Sequence, residues 1–178
     1  MKKYIAFLRA INVGGHNVKM DYLRSLFDEM KFKNTETFIA SGNVIFENEE
    51  PDRSRLEDKI EKYLFKALGY EVATFIRTPD ELGQIVNYKP FNAKKYEKAV
   101  SNNIGFIKQP LNKDSINILK SLESEIDDFE SHQSEVYWLC KTGQSKSAFS
   151  GNLFERKLKS QITFRGVKTL QKLLLKFS

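Results

Sequence analysis

One order of elements occurs twice along this chain: strand, helix, strand, strand, helix, strand over residues 3–77, and again over 103–165. A chain with this repeat builds two small antiparallel sheets, because right-handed crossovers place both helices of each unit on one face. The expected fold is α+β, a duplicated pair of ferredoxin-like βαββαβ units with antiparallel sheets and helices packed on one face. The expected division is residues 1–78 for the first half, 79–102 for a helical connector, and 103–178 for the second half with a C-terminal helix. The halves are expected to pack as one compact unit. The second repeat is the more weakly patterned, and a single open sheet is the alternative.

In the first half, residues 4–8 are nearly all apolar, which suits a central strand covered on both sides. Met20, Leu23, Leu26, Phe27 and Met30 recur at helical spacing. Residues 37–40 and 43–46 read as a hairpin around Ser41-Gly42. Ser54 and Glu57 suggest a capping box for a helix bearing Leu56, Ile60, Tyr63 or Leu64, and Ala67, ended by a left-handed Gly69, and residues 71–77 supply a fourth strand. Thr78-Pro79-Asp80-Glu81 opens a short helix through Val86, and residues 87–100 are a linker or a second short helix.

In the second half, residues 103–108 read as a strand, Asn112 caps a helix bearing Ile116, Leu119 and Leu122, and residues 131–134 turn between a strand at Phe129 and one at 135–140. Phe149, Leu153, Phe154 and Leu158 form a helical stripe, residues 161–165 a short strand, and Leu170, Leu173 and Leu174 a last helix.

The chain of 178 residues is long enough to bury a core without a metal or disulfide. Its single cysteine, Cys140, ends an apolar run and reads as a buried small hydrophobe, which fits a reducing compartment. The Met1-Lys2-Lys3 start runs into Arg9 and a glycine-rich loop too soon for a signal or transmembrane segment, so the expected location is the cytoplasm. The net charge of +6 is unevenly placed. Residues 141–176 hold nine Lys or Arg against one acid, Glu155, leaving +8 there and −2 on the rest. Such asymmetry favours anionic partners, or else marks a solvated face.

Two polar loops are candidates for chemistry. Arg9, Asn12, Gly14 and Gly15 follow the first strand, where glycines permit positive φ and Arg9 and Asn12 supply donors. The competing reading is a tight connection with Asn12 bonding its own backbone. The loop has neither a dinucleotide fingerprint nor a P-loop ending. The second candidate, residues 141–147, precedes a helix whose N–H groups, with Lys146, could receive phosphate, while Ser145 or Ser147 reads better as an N-cap than as a nucleophile. His16 and His132 lie outside any metal-binding spacing. Phe7 and Phe46 lack the two strand motifs with which RNA-binding sheets stack bases.

Leu8-Arg9-Ala10-Ile11-Asn12-Val13-Gly14-Gly15, Ser41-Gly42-Asn43-Val44-Ile45-Phe46 and the segment 146–158 resemble DUF1697, a widespread bacterial family of unknown function. The resemblance implies a cytoplasmic protein with a duplicated α+β fold, and it carries no catalytic assignment. Ala10 stands where the family usually has Gly, residues 148–152 differ from its usual helix start, and residues 163–169 lack its Asn-Trp.

The expected function is binding of an anionic small molecule or nucleotide by Arg9, Asn12, Gly14, Gly15 and Asn43, with Lys146 and Arg165 as outer positive charges. Alternatives are nucleic-acid binding through residues 141–176, an enzyme on a phosphorylated substrate with Arg9 and Lys146 as electrostatic stabilisers, and a protein-interaction scaffold. No cofactor, metal or membrane is expected.

Overall fold

The computed structural model describes residues 1–39 and 42–176. The chain divides into two compact units, Met1–Leu82 and Gly83–Ser178. The first contains β1 (Lys2–Leu8), α1 (Met20–Glu29), β2 (Lys33–Phe38), β3 (Asn43–Asn48), α2 (Arg53–Leu68) and β4 (Thr74–Arg77). Its four strands lie in the order β2-β3-β1-β4 with every neighbour antiparallel. The second contains β5 (Ser101–Phe106), α5 (Lys113–Ser121), β6 (Asp127–His132), β7 (Glu135–Cys140), α6 (Gly151–Leu158), β8 (Thr163–Gly166) and α7 (Val167–Leu175). Its order is β6-β7-β5-β8, the same arrangement. Before β5 come α3 (Pro79–Asn87), in which the division falls, and α4 (Ala93–Lys98). These are two ferredoxin-like units, as the repeated element order predicts.

Tyr4, Ala6 and Leu8 on β1 pack with Val44, Phe46 and Ile76 against Leu23, Leu26 and Phe27 of α1 and Leu56, Ile60 and Leu64 of α2. Phe32 stacks on Phe46 at 4.5 Å. Each such side chain contributes about 1.5–3 kcal/mol on burial. Ile5 and Phe7 at the alternate positions are buried too, which explains the unbroken apolar run of this central strand. In the second unit Phe129, Val136, Trp138, Phe149, Phe154 and Ile162 form the corresponding core, with Cys140 buried among them.

The duplication extends to the register. Ile5 faces Arg77 and Phe7 faces Asn43, as Ile104 faces Arg165 and Phe106 faces Glu135. The Leu8 N–H donates to the Gly42 carbonyl at 2.8 Å, and the Ile107 N–H donates to the Ser134 carbonyl at 3.1 Å.

Several boundaries differ from the sequence reading. The capping residue of α2 is Asp52, whose carboxylate accepts from the Ser54 and Arg55 N–H groups, and Ser54 and Glu57 form no capping box. Glu57 is instead buried and accepts the Ile76 N–H at 2.8 Å. Strand β4 begins at Thr74 because its ladder partner β1 ends at Leu8, and the chain turns left-handed at Ala10. Strand β2 begins at Lys33, its polar sequence being that of an exposed edge, and Ala40 and Ser41 of the expected hairpin lie outside the described residues. Strand β5 spans residues 101–106 and β8 163–166, while β6 runs on to His132. Residues 87–100 resolve into the helical alternative, since Asn92 caps α4 at the Lys95 N–H. The capping box of α3 is present as expected, with Thr78 and Glu81 bonding each other's backbone N–H.

The outer edges of these open sheets are closed by helix side chains. Glu61 and Glu57 of α2 take the Thr74 and Ile76 N–H groups of β4, each at 2.8 Å. At the equivalent place in the second unit, Glu155 of α6 takes the Ile162 N–H at 2.9 Å. On β6, Glu123 accepts the Phe129 N–H, and Lys120 donates to the Phe129 carbonyl and to Glu130. Burial opposes the charge on Lys120, but Glu130 and Glu123 more than offset it and raise its pKa. Strand β2 is interrupted by a bulge between Lys33 and Glu36. Removing a buried carboxylate leaves the β4 N–H unsatisfied, so Glu57→Ala should lower unfolding stability by about 2 kcal/mol. Urea denaturation measures this, and an unchanged midpoint would refute the role given to Glu57.

Candidate functional site

The first unit brings its sequence-predicted residues to one end of its sheet. After Leu8, the Arg9 N–H donates to the Ala73 carbonyl at 2.8 Å, and the loop over residues 10–17 returns to Val18. The Asn12 carboxamide oxygen accepts the Val18 N–H at 2.6 Å, so this side chain closes the loop. Tyr70 donates its hydroxyl to the Ile11 carbonyl at 2.9 Å and stacks on His16 at 3.7 Å. Burial pushes the Tyr70 pKa up. Gly14 and Gly15 both have positive φ and lie exposed, with open space where a Cβ would stand. Gly42 lies against the loop, since a Cβ there would stand 2.6 Å from Ile11 Cγ2. Beside it, Asn43 is fully buried and donates its amide to the Phe38 carbonyl at 3.0 Å. The loop and the hairpin therefore meet, but the Asn12 oxygen and the Asn43 amide already serve the fold.

Lys146 and Arg165 belong to the second unit. Lys146 is exposed in a single 3-10 turn, Gln144–Lys146, whose Gln144 amide donates to the Asn103 side chain of β5. The N-cap of the following helix is Ser150, not Ser145 or Ser147, and its hydroxyl accepts the Leu153 N–H. Ser147 instead donates to Asp127 at 2.6 Å. Asp127, which the sequence reading did not single out, is buried and also accepts from the Trp138 indole N–H at 2.7 Å and from Ser124. That carboxylate ties the 141–147 loop to β6 and β7. Arg165 is not an outer charge: it is buried on β8 and donates to Thr163 Oγ1 at 2.7 Å and to the Phe164 carbonyl. Burial lowers its pKa to about 10, which leaves it cationic at neutral pH. Arg77, its repeat equivalent, is buried likewise and donates to the Ile76 carbonyl.

Around these residues the second unit has a basic exterior. Lys146, Arg156, Lys157, Lys159, Lys168 and Lys172 are exposed, and none forms an ion pair with a described residue. Glu155, the lone acid among residues 141–176, is committed to the β8 edge. The sequence reading passed over a further constellation, in which Tyr88, 40% exposed, stacks on His132 at 4.1 Å and leans on Tyr137 at 5.4 Å. No local sequence pattern signals it, since Tyr88 lies far along the chain from His132 and Tyr137. Among the described residues no three His, Cys, Asp or Glu side chains gather as a metal site, and no helix is long and apolar enough to cross a membrane.

The repeated sheet order defines a duplicated ferredoxin-like α+β protein. A family profile described as "Protein of unknown function (DUF1697)" matches residues 1–137, and the chain belongs to that family. The matched segment includes the 9–15 loop and Asn43 and stops before Lys146 and Arg165. No curated protein matches the chain. Among solved structures, the conserved bacterial protein SP0830 from Streptococcus pneumoniae superposes with a TM-score of 0.78 at 22% identity, covering 99% of this chain and 98% of that one. At that identity the likeness concerns the fold.

Ala10 has φ +56, a left-handed conformation that costs a residue with a Cβ about 1–2 kcal/mol. Ala10→Gly relieves this at an entropic cost of about 0.5–1 kcal/mol, so a net gain of about 0.5–1 kcal/mol in unfolding stability is expected. Gly42→Ala, strained at φ +75 and crowded by Ile11, should lose about 2 kcal/mol. Parallel urea titrations of the two variants check both signs.

Proposed function

We propose that the chain binds nucleic acid through the phosphate backbone, using the exposed cations of its second unit. The observation that carries this reading is that Lys146, Arg156, Lys157, Lys159, Lys168 and Lys172 face solvent without carboxylate partners among the described residues. Lys168 and Lys172 lie one helical turn apart on α7, whose Val167, Leu170 and Leu173 turn inward, so the two cations project to one side. Surface cations neutralise backbone phosphates and release the counterions condensed on them, which gives affinity without sequence preference. Fluorescence anisotropy with short DNA and RNA strands should show affinity falling steeply as salt rises. Each phosphate contact contributes a log–log slope of about −0.7 on a single strand, so Arg156→Gln/Lys157→Gln/Lys159→Gln should flatten the slope by about 2. Salt-independent binding, or no binding, would overturn this reading.

A small anion at the 9–15 loop is the second reading, favoured by the open left-handed pair Gly14-Gly15 beside Arg9. It ranks second because Asn12, Asn43 and Arg165 are engaged or buried. A ligand of the native state raises apparent stability, so inorganic phosphate or a nucleotide should give a saturable rise in Tm that Arg9→Ala removes. A shift that survives Arg9→Ala would place the ligand elsewhere.

A further inference from the structure

The Tyr88–His132 pair has the features of a stacking platform. Its base is Tyr137, buried in β7 with its hydroxyl donating to the Ile85 carbonyl at 3.1 Å, and burial raises its pKa. Tyr88 leans on that ring, and His132 lies nearly parallel on Tyr88, 17° between planes, at the last position of β6. One face of the imidazole is therefore covered by Tyr88, and His132 is exposed. Such a column is ordered before any ligand arrives, which reduces the entropy lost on binding.

Charges of both signs lie near the column: Glu135, buried, is the register partner of His132, and the segment that follows Tyr88 is basic. Residues 88–98 hold four lysines against one acid, Glu97. Lys89 follows Tyr88 directly and lies 5.7 Å from the Tyr96 ring. Lys94 and Lys98 are exposed on α4 without a described ion pair, and Lys95 anchors α4 to Asp128 of β6, the strand that ends in His132, at 2.7 Å. An exposed aromatic face next to Lys89, whose ammonium also donates to the Val86 carbonyl at 3.3 Å, matches an unpaired base with a neighbouring phosphate. A duplex hides its base faces in the stack and would not use it.

We infer that the Tyr88–His132 column receives an unpaired base of single-stranded nucleic acid. The inference rests on the nucleic-acid reading above and narrows its partner to single strands. Anisotropy on the full chain would compare a short oligothymidylate with an abasic strand of the same length. Stacking of one base is worth about 1–3 kcal/mol, so the wild type should prefer the thymidylate by about 5- to 150-fold. His132→Ala and Tyr88→Leu should erase that preference and leave the salt slope unaltered. Equal affinity of the wild type for the two strands would overturn the stacking site while leaving the backbone reading intact, and this comparison needs no variant to fold. A preference that persists in His132→Ala would also overturn it. Absence of binding to either strand would overturn both readings.

Discussion

The structure depends on how its open sheets close their edges. A four-stranded antiparallel sheet presents unpaired N–H groups along its outer strands, and each is costly when buried and an invitation to association when exposed. In both units the helix before the last strand turns a glutamate onto the entry to that strand: Glu61 onto Thr74, the first residue of β4, and Glu155 onto Ile162, the residue just before β8. Thr74 and Ile162 follow one register, since each stands three residues before the arginine that faces Ile5 or Ile104. The device is thus part of the duplication and not an incidental surface contact.

That commitment of acids has an electrostatic consequence. Glu57, Glu61, Glu123 and Glu155 are spent on backbone N–H groups, and Asp127 and Asp128 on Trp138, Ser147 and Lys95. A carboxylate oriented toward a strand edge or a buried hydroxyl is poorly placed to neutralise a lysine on the outer face of a helix. Arg156 and Lys157 of α6 and Lys168 and Lys172 of α7 then stand without ion-pair partners among the described residues, although the chain as a whole carries a net charge of only +6. Exposed charge on this face follows from where the acids are needed, not from lysine content alone.

What was legible in the sequence was what periodicity and turn chemistry record. The element order, the central β1, the caps at Thr78 and Asn112 and the left-handed Gly69 were all readable locally. The α2 capping box was misread because a Ser-x-x-Glu spacing cannot reveal that Glu57 is drawn 19 residues along the chain to Ile76, leaving Asp52 to cap. Asn43 read as a ligand-binding residue and Arg165 as an outer positive charge for the same reason. A strand position tells which face a side chain joins, but not whether that face is open, and both prove buried. His132 and Tyr88 are separated by 44 residues and no spacing rule couples them; hairpin β6–β7 and the Ile85–Tyr137 bond bring them together.

Burial also decides between modes of nucleic-acid recognition on this fold. Sheets of this topology that read RNA do so with aromatics exposed on their central strands. Here the corresponding strands carry Phe7, Phe106 and Tyr137, all buried, so bases cannot stack on the middle of either sheet. At the hairpin end the buried Tyr137 supports Tyr88, and Tyr88 supports the exposed His132. Under the nucleic-acid reading, phosphate contacts on the lysine-bearing helices set affinity, and the imidazole face selects an unpaired base over the edge of a duplex. The repeat equivalent of His132 in the first unit is Phe38, the half-buried last residue of β2, which faces Asn43 as His132 faces Glu135. The two copies therefore share a register and an aromatic ring at the end of the outer hairpin strand, and they differ in its exposure, half-buried for Phe38 and exposed for His132.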